Sequence, residues 1–159
     1  MIETKLNQYL TFTVASEQYA INVTHIREVL EFQSVSKVPR MPDFMRGIIN
    51  LRGSVVPVLD LKMKFGLGET EKDIDTSVIV TEMTMDGDTV VIGLLTDAVS
   101  EVLELEDDEI EPTPYIGTKV NTEFIRGMGK KGDAFIIILD INKVLTHQEI
   151  VSAVSETSS

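Results

Sequence analysis

The chain has 159 residues, 43% of them hydrophobic and 25% charged, which suits one folded domain of ordinary size and excludes a disordered chain. Its 26 acidic against 14 basic side chains give a net charge of −12, too acidic for bulk binding to nucleic acid or anionic lipid. Cysteine is absent, which removes disulfides, thiolate metal sites and cysteine nucleophiles and fits a reducing cytoplasm.

The first segment, Met1 to Lys5, is polar and lacks the apolar centre of a signal peptide. No run of about 18 apolar residues is present to span a membrane. Tyr9 to Val14 alternates apolar and polar residues of β-favouring type and is predicted as a strand. Ser16-Glu17-Gln18 turns the chain and Tyr19 to Val23 forms a second strand. Thr24 to Val29 is predicted as a short helical turn behind a Thr cap. Met45 to Asn50 and Ser54 to Leu59 form a hairpin about Leu51-Arg52-Gly53. Asp60 caps a short helix that stops before Gly66. Ser77 to Thr84 and Thr89 to Leu95 bracket an Asp86-Gly87 step, a strong hairpin signal. Phe124 to Met128 and Ala134 to Leu139 form another hairpin, and Asp140 caps a second short helix. A last helix is predicted over Thr146 to Ala153, and residues 151–159 as a flexible tail.

These elements repeat. Phe44-Met45-Arg46-Gly47 recurs as Phe124-Ile125-Arg126-Gly127, and Val58-Leu59-Asp60-Leu61 as Ile138-Leu139-Asp140-Ile141, both 80 residues on. Ile26-Arg27-Glu28-Val29-Leu30-Glu31 recurs as Val99-Ser100-Glu101-Val102-Leu103-Glu104. Matched blocks in the same order in both halves predict two copies of one unit of about five strands, each a small barrel that hides its edges. The charge is unevenly laid out as well. Residues 37–64 carry six basic and two acidic side chains, whereas residues 101–111 carry seven acids and no base. The acidic run is a solvated face, and the basic strip is a candidate for meeting a partner's acidic groups.

Catalytic constellations are scarce. His25 and His147 lie in different halves with no nucleophile beside them, and no phosphate-binding loop or zinc motif occurs. Asp60 and Asp140, one per copy, form a candidate acid-protease dyad, but Leu61 and Ile141 follow them where a small hydroxyl residue and Gly are needed. Helix capping explains both acids without chemistry. Glu106 to Glu109 lacks the alternating ligands and central Gly of a calcium loop. No catalytic residue, metal or cofactor is therefore expected. The turn Asn50-Leu51-Arg52-Gly53 remains as the exposed binding candidate, since Arg52 can grip a carboxylate with both arms of its fork. An incidental surface arginine on a turn is the alternative.

The stretch from Phe44 to Leu61, with its Asn50-Leu51-Arg52-Gly53 turn, Pro57 and Asp60, strongly resembles the signature of the CheW family of chemotaxis coupling proteins. Tyr19 to Val23, Ile26 to Val29, Val91 to Leu103, Phe124 to Met128 and Ile136 to Asn142 resemble it too, so the likeness spans roughly residues 8 to 150. It implies a mainly β fold of two intertwined five-stranded SH3-like β-barrels with short helices. Residues 1–150 then form one domain, with barrels at approximately 15–75 and 76–150 and an N-terminal strand open to exchange between them.

The resemblance also implies a non-catalytic scaffold joining the cytoplasmic tip of methyl-accepting chemoreceptors to the regulatory domain of the histidine kinase CheA. By matching position, Leu10, Val23 and Ile26 would contact the kinase, and Glu28, Val29, Asn50, Arg52 and Val90 the receptor. Core packing is the competing role for Leu10, Val23, Ile26, Val29 and Val90. The expected setting is cytoplasmic, at the receptor array through partners, with a monomer when free, no nucleic acid and no membrane insertion. Alternatives are an adaptor of another chemosensory pathway, a duplicated-barrel acid hydrolase and a nucleic-acid-binding barrel. The 6% of aromatic residues and the net charge of −12 count against the last.

Overall fold

A computed structural model of the chain describes residues 6–37, 39–85, 87–111 and 122–144. The helix expected over Thr146 to Ala153, the tail and His147 lie outside them. Ten strands carry the described fold: β1 (Leu6–Val14), β2 (Glu17–Asn22), β3 (Ile26–Glu31), β4 (Met45–Leu51), β5 (Ser54–Asp60), β6 (Ser77–Met85), β7 (Asp88–Thr96), β8 (Ala98–Glu106), β9 (Ile125–Lys131) and β10 (Ala134–Leu139). Two four-residue helices, α1 (Leu61–Lys64) and α2 (Ile141–Val144), follow β5 and β10.

The strands form two five-stranded sheets, ordered β8-β1-β2-β10-β9 and β3-β6-β7-β5-β4. The hairpin β1–β2 sits with strands from the second half, and the hairpin β6–β7 with strands from the first. A whole hairpin, rather than the N-terminal strand alone, changes sides, so the sheets do not divide at residues 75 and 76. The short connections enforce this. Only the 3₁₀ turn Val23–His25 separates β2 from β3, and only Asp97 separates β7 from β8. A link that short lets the chain run on from one sheet into the other but gives it no length to return.

One element differs from the prediction. Thr24 to Val29 is not a helical turn throughout: the 3₁₀ turn, capped by Asn22, ends at His25 and β3 begins at Ile26. The equivalent stretch of the second half is the edge strand β8. β3 shows the inside–outside alternation of a strand once paired with β6, and β8 is held as a strand by its pairing with β1.

The barrels expected from the sequence are not closed by a ladder among the described residues; one isolated bridge links the edges in each half. Ser36 bridges Ile48 beyond β3, and Glu111 bridges Met128 beyond β8. Each bridge needs the glycine one residue before its strand partner. A Cβ on Gly47 would stand 2.3 Å from the Ser36 carbonyl oxygen, and one on Gly127 would stand 2.8 Å from that of Glu111. Gly47 also has φ of +148°. The repeated Arg-Gly is thus the mark of the bridge between the edges in each half. Gly47→Ala should cost about 1–3 kcal/mol by overpacking, seen as a lower urea midpoint with an unchanged slope.

The main core lies between the sheets, where Phe12, Tyr19 and Ile21 of one meet Leu59, Ile79 and Leu94 of the other. Smaller cores fill each sheet's own concavity, around Tyr9, Ile136 and Ile138 in one and Phe32, Val58 and Val80 in the other. The interlocking therefore buries a third apolar layer that neither sheet would bury alone.

Candidate functional site

The turn between β4 and β5 is built for exposure. Gly53 donates to the Asn50 side-chain oxygen at 2.9 Å, which tightens the turn, and Arg52 takes a left-handed φ of 52°. This backbone throws the Arg52 side chain outward, where it remains 75% exposed. The guanidinium reaches β3 and donates to both carboxylate oxygens of Glu28, at 2.6 and 3.1 Å. The hydrogen bonds and charge of Glu28 raise the Arg52 pKa, keeping it cationic. Glu28 and Arg52 sit on opposite edges of one sheet, so the pair spans its open side.

Beneath the pair lies a groove of about 410 Å³, lined by Glu28, Arg52, Val55, Pro57, Thr89 and Val90 among others. Its floor is apolar and its rim charged, with Arg27 on the same strand paired to Glu82. Val55 is 45% exposed, a large apolar side chain left open to solvent. Val29, at 42%, is exposed one residue beyond Glu28 but does not line the groove.

The structure therefore gathers Glu28, Arg52 and Val90 at one concavity, with Asn50 holding the turn that shapes it. Val55, Pro57 and Thr89 escaped the sequence reading. The signal for Val55 lay in the sequence, since it is the strand residue facing Asn50 across the turn. Leu10, Val23 and Ile26 occupy another region. Val23 and Ile26 are half-buried against the main core, and Leu10, only 8% exposed, is part of it. Leu10 offers a partner little surface.

The basic strip does not form one open patch. Arg46 turns inward, donating to Asp60 at 3.2 Å and to the Thr70 carbonyl at 2.9 Å, with Glu69 at 3.2 Å. Lys64 lies over the Phe44 and Phe124 rings. Local ion pairs and ring contacts claim these charges, because a half-buried cation needs a partner close by.

Asp60 is fully buried and accepts from Lys62 N–H at 3.1 Å, Thr70 N–H at 2.9 Å and the Thr70 hydroxyl at 2.6 Å. Asp140 accepts from Asn142 N–H at 3.1 Å. Both acids thus do the capping work the hydrolase alternative had to compete with. Glu106 and Glu109 form a reciprocal capping box. Among the described residues, no group of three His, Asp or Glu side chains is placed to hold a metal ion. No helix there is long and apolar enough to cross a membrane.

A family model described as the CheW-like domain matches residues 8–149. The chain is 34% identical over 148 residues to the chemotaxis protein CheW of Klebsiella aerogenes, covering 93% of this chain and 87% of that protein. It is 30% identical to the chemotaxis protein CheW of Bacillus subtilis, covering 92% of each. The crystal structure of the scaffolding protein TtCheW from Thermoanaerobacter tengcongensis superposes with a TM-score of 0.80 at 35% identity, again over 92% of each chain.

Proposed function

This chain belongs to the CheW-like domain family and is a chemotaxis adaptor, and from that premise we propose that it bridges a methyl-accepting chemoreceptor and the histidine kinase CheA. The receptor's cytoplasmic tip docks at the groove beneath the Glu28–Arg52 pair. The regulatory domain of the kinase docks on the surface around Val23 and Ile26, which Leu10 supports from below.

The groove itself carries the receptor half of this reading: three of the five expected contact residues line one concavity with an apolar floor. Affinity then comes from Val55 and Val90 as anchors, while the charged rim sets register and excludes wrong partners. Arg52 is engaged by Glu28 in the free chain, but exposed ion pairs contribute little to stability. A receptor carboxylate can exchange with Glu28, or bind while the fork is shared, without disturbing the fold. Asn50 holds the turn in place throughout, and Val29 extends the contact along β3.

The adaptor acts by geometry, without a catalytic step. It works in the cytoplasm, unbound as a monomer, and reaches the membrane-associated array only through its partners. Whichever chemosensory array it serves, the two docking surfaces are separate, so single substitutions should divide them. Arg52→Asp and Val90→Asp are expected to lower receptor binding by about tenfold or more, with the circular dichroism spectrum of the wild type. Ile26→Glu is expected to lower binding to the purified kinase regulatory domain and to leave receptor binding intact. Unchanged receptor binding by both groove variants would remove the groove from the account.

A further inference from the structure

The two halves of the chain treat one equivalent pair of charges differently. In the first half, a single residue serves both Arg46 and Asp60. The Thr70 hydroxyl and N–H donate to Asp60 at 2.6 and 2.9 Å, and its carbonyl accepts from Arg46 at 2.9 Å. The counterparts 80 residues on are Arg126 and Asp140. The frame around them is the same, since Asp60 N–H donates to the Phe44 carbonyl and Asp140 N–H to that of Phe124, at 2.7 and 2.9 Å. Yet Asp140 is only half-buried, and Arg126 is exposed and forms no ion pair among the described residues.

Arg126 and Asp140 instead line a cleft of about 240 Å³ together with Tyr9, Asn22, His25 and Asn142. The Tyr9 side chain is fully buried, and its hydroxyl proton has no acceptor among the described residues. A buried hydroxyl left unmatched costs free energy and calls for an explanation. Burial raises the Tyr9 pKa, as does the Asp107 charge, against the opposing pull of Arg126 and Asn22. The phenol is therefore a neutral O–H donor. The Asn22 side-chain oxygen is occupied by the Thr24 N–H and hydroxyl at 2.9 and 2.8 Å, so its amide NH₂ is the end left to donate.

We propose that this cleft binds a threonine or serine residue presented by a partner protein, held as Thr70 is held in the other half. The ligand's hydroxyl and N–H would donate to Asp140 and its carbonyl would accept from Arg126. The ligand's oxygen atoms would also give the Tyr9 hydroxyl its missing acceptor. A carboxylate is a poorer occupant, because it would lie against Asp140. The cleft is distinct from the groove beneath Glu28 and Arg52, and it stands on the other sheet.

The full isotope-labelled chain can be titrated with N-acetyl-threonine N′-methylamide, followed by NMR. Saturable shifts at the Tyr9, Arg126 and Asn142 amides are expected. The valine compound, of the same shape without the hydroxyl, should bind about tenfold more weakly. Tyr9→Phe and Arg126→Gln should each weaken the threonine compound severalfold; the first loses a hydroxyl whose proton has no acceptor among the described residues, and the second is exposed, so both should fold. Absence of saturable shifts, an equal response to the valine compound or to acetate, or unchanged affinity in both variants would overturn the proposal.

Discussion

Replacing Asp60 with alanine should destabilise the chain by about 3–5 kcal/mol, the range for removing one partner of a buried ion pair. Three losses coincide. Arg46, only 19% exposed in its side chain, loses its buried counter-charge. Thr70, itself buried, loses the acceptor for both its hydroxyl and its N–H. The first turn of α1 loses its cap. Glu69 does not substitute, since its side chain is 65% exposed and its pairing with Arg46 is screened by water. Asp60→Asn keeps an acceptor for the cap and the threonine, so a smaller loss is expected. Adding Arg46→Met to Asp60→Ala should recover part of the stability, because the stranded charge goes with it. Urea unfolding followed by circular dichroism reads all three. A loss below about 1 kcal/mol for Asp60→Ala would mean that the network contributes little to the fold.

The second large effect concerns Tyr19. Its ring stacks on Phe12 at 6.0 Å and on Phe65 at 5.4 Å, and Phe65 stacks on Phe124 at 6.0 Å. That column joins β1, β2, the end of α1 and the approach to β9, so it ties the two halves together. Tyr19→Ala should cost about 3–5 kcal/mol through the cavity it leaves. Tyr19→Phe keeps the column and removes only a hydroxyl that donates to Glu17 at 3.2 Å. Burial first, and then the Glu17 charge and hydrogen bond, push the phenol well above its ordinary value of 10.0. The unfolded chain therefore releases this proton near pH 10 while the folded chain keeps it, and stability falls as pH rises above about 10. The fall between about pH 9 and pH 11 should be shallower in Tyr19→Phe than in the wild type. Equal slopes in thermal melts across that range would contradict the buried, neutral phenol.

Much of this architecture is written in local sequence. Period-two alternation and the Asp86-Gly87 step mark the hairpins, Asp60 and Asp140 mark the caps, and the recurrence of Arg46-Gly47 as Arg126-Gly127 marks the duplication. The family follows from the stretch around Asn50-Leu51-Arg52-Gly53. Strands β3 and β8 were harder to read. Ile26 and Val29 stand three apart, as on a helix face, and only pairing with β6 reveals their alternation. Sheet membership is also nonlocal, because the parallel pairing of β2 with β10 rests on only two registered residue pairs.

The candidate site was legible in part. Residues that meet through the backbone turn, Asn50 and Arg52, can be found from spacing alone. The Glu28–Arg52 pairing joins two sheet edges across 24 residues and needs the fold. Arg46 shows the reverse case: counted by charge it belongs to a surface strip, yet Glu69 and Thr70 draw it inward. They come from the charged loop between Gly66 and Thr76, which has no periodicity to announce a role. Charge in sequence gives a budget of groups, and burial decides which of them a partner can reach.

The proposed bridging of receptor and kinase through separate surfaces can be reconstituted from purified parts. The direct measurement is co-sedimentation of the purified kinase with vesicles that carry a chemoreceptor, with and without this chain. The kinase is expected to sediment with the vesicles only when the chain is present, and Arg52→Asp and Ile26→Glu are each expected to weaken the bridging from opposite ends. Kinase sedimentation that is the same with and without the chain would contradict it.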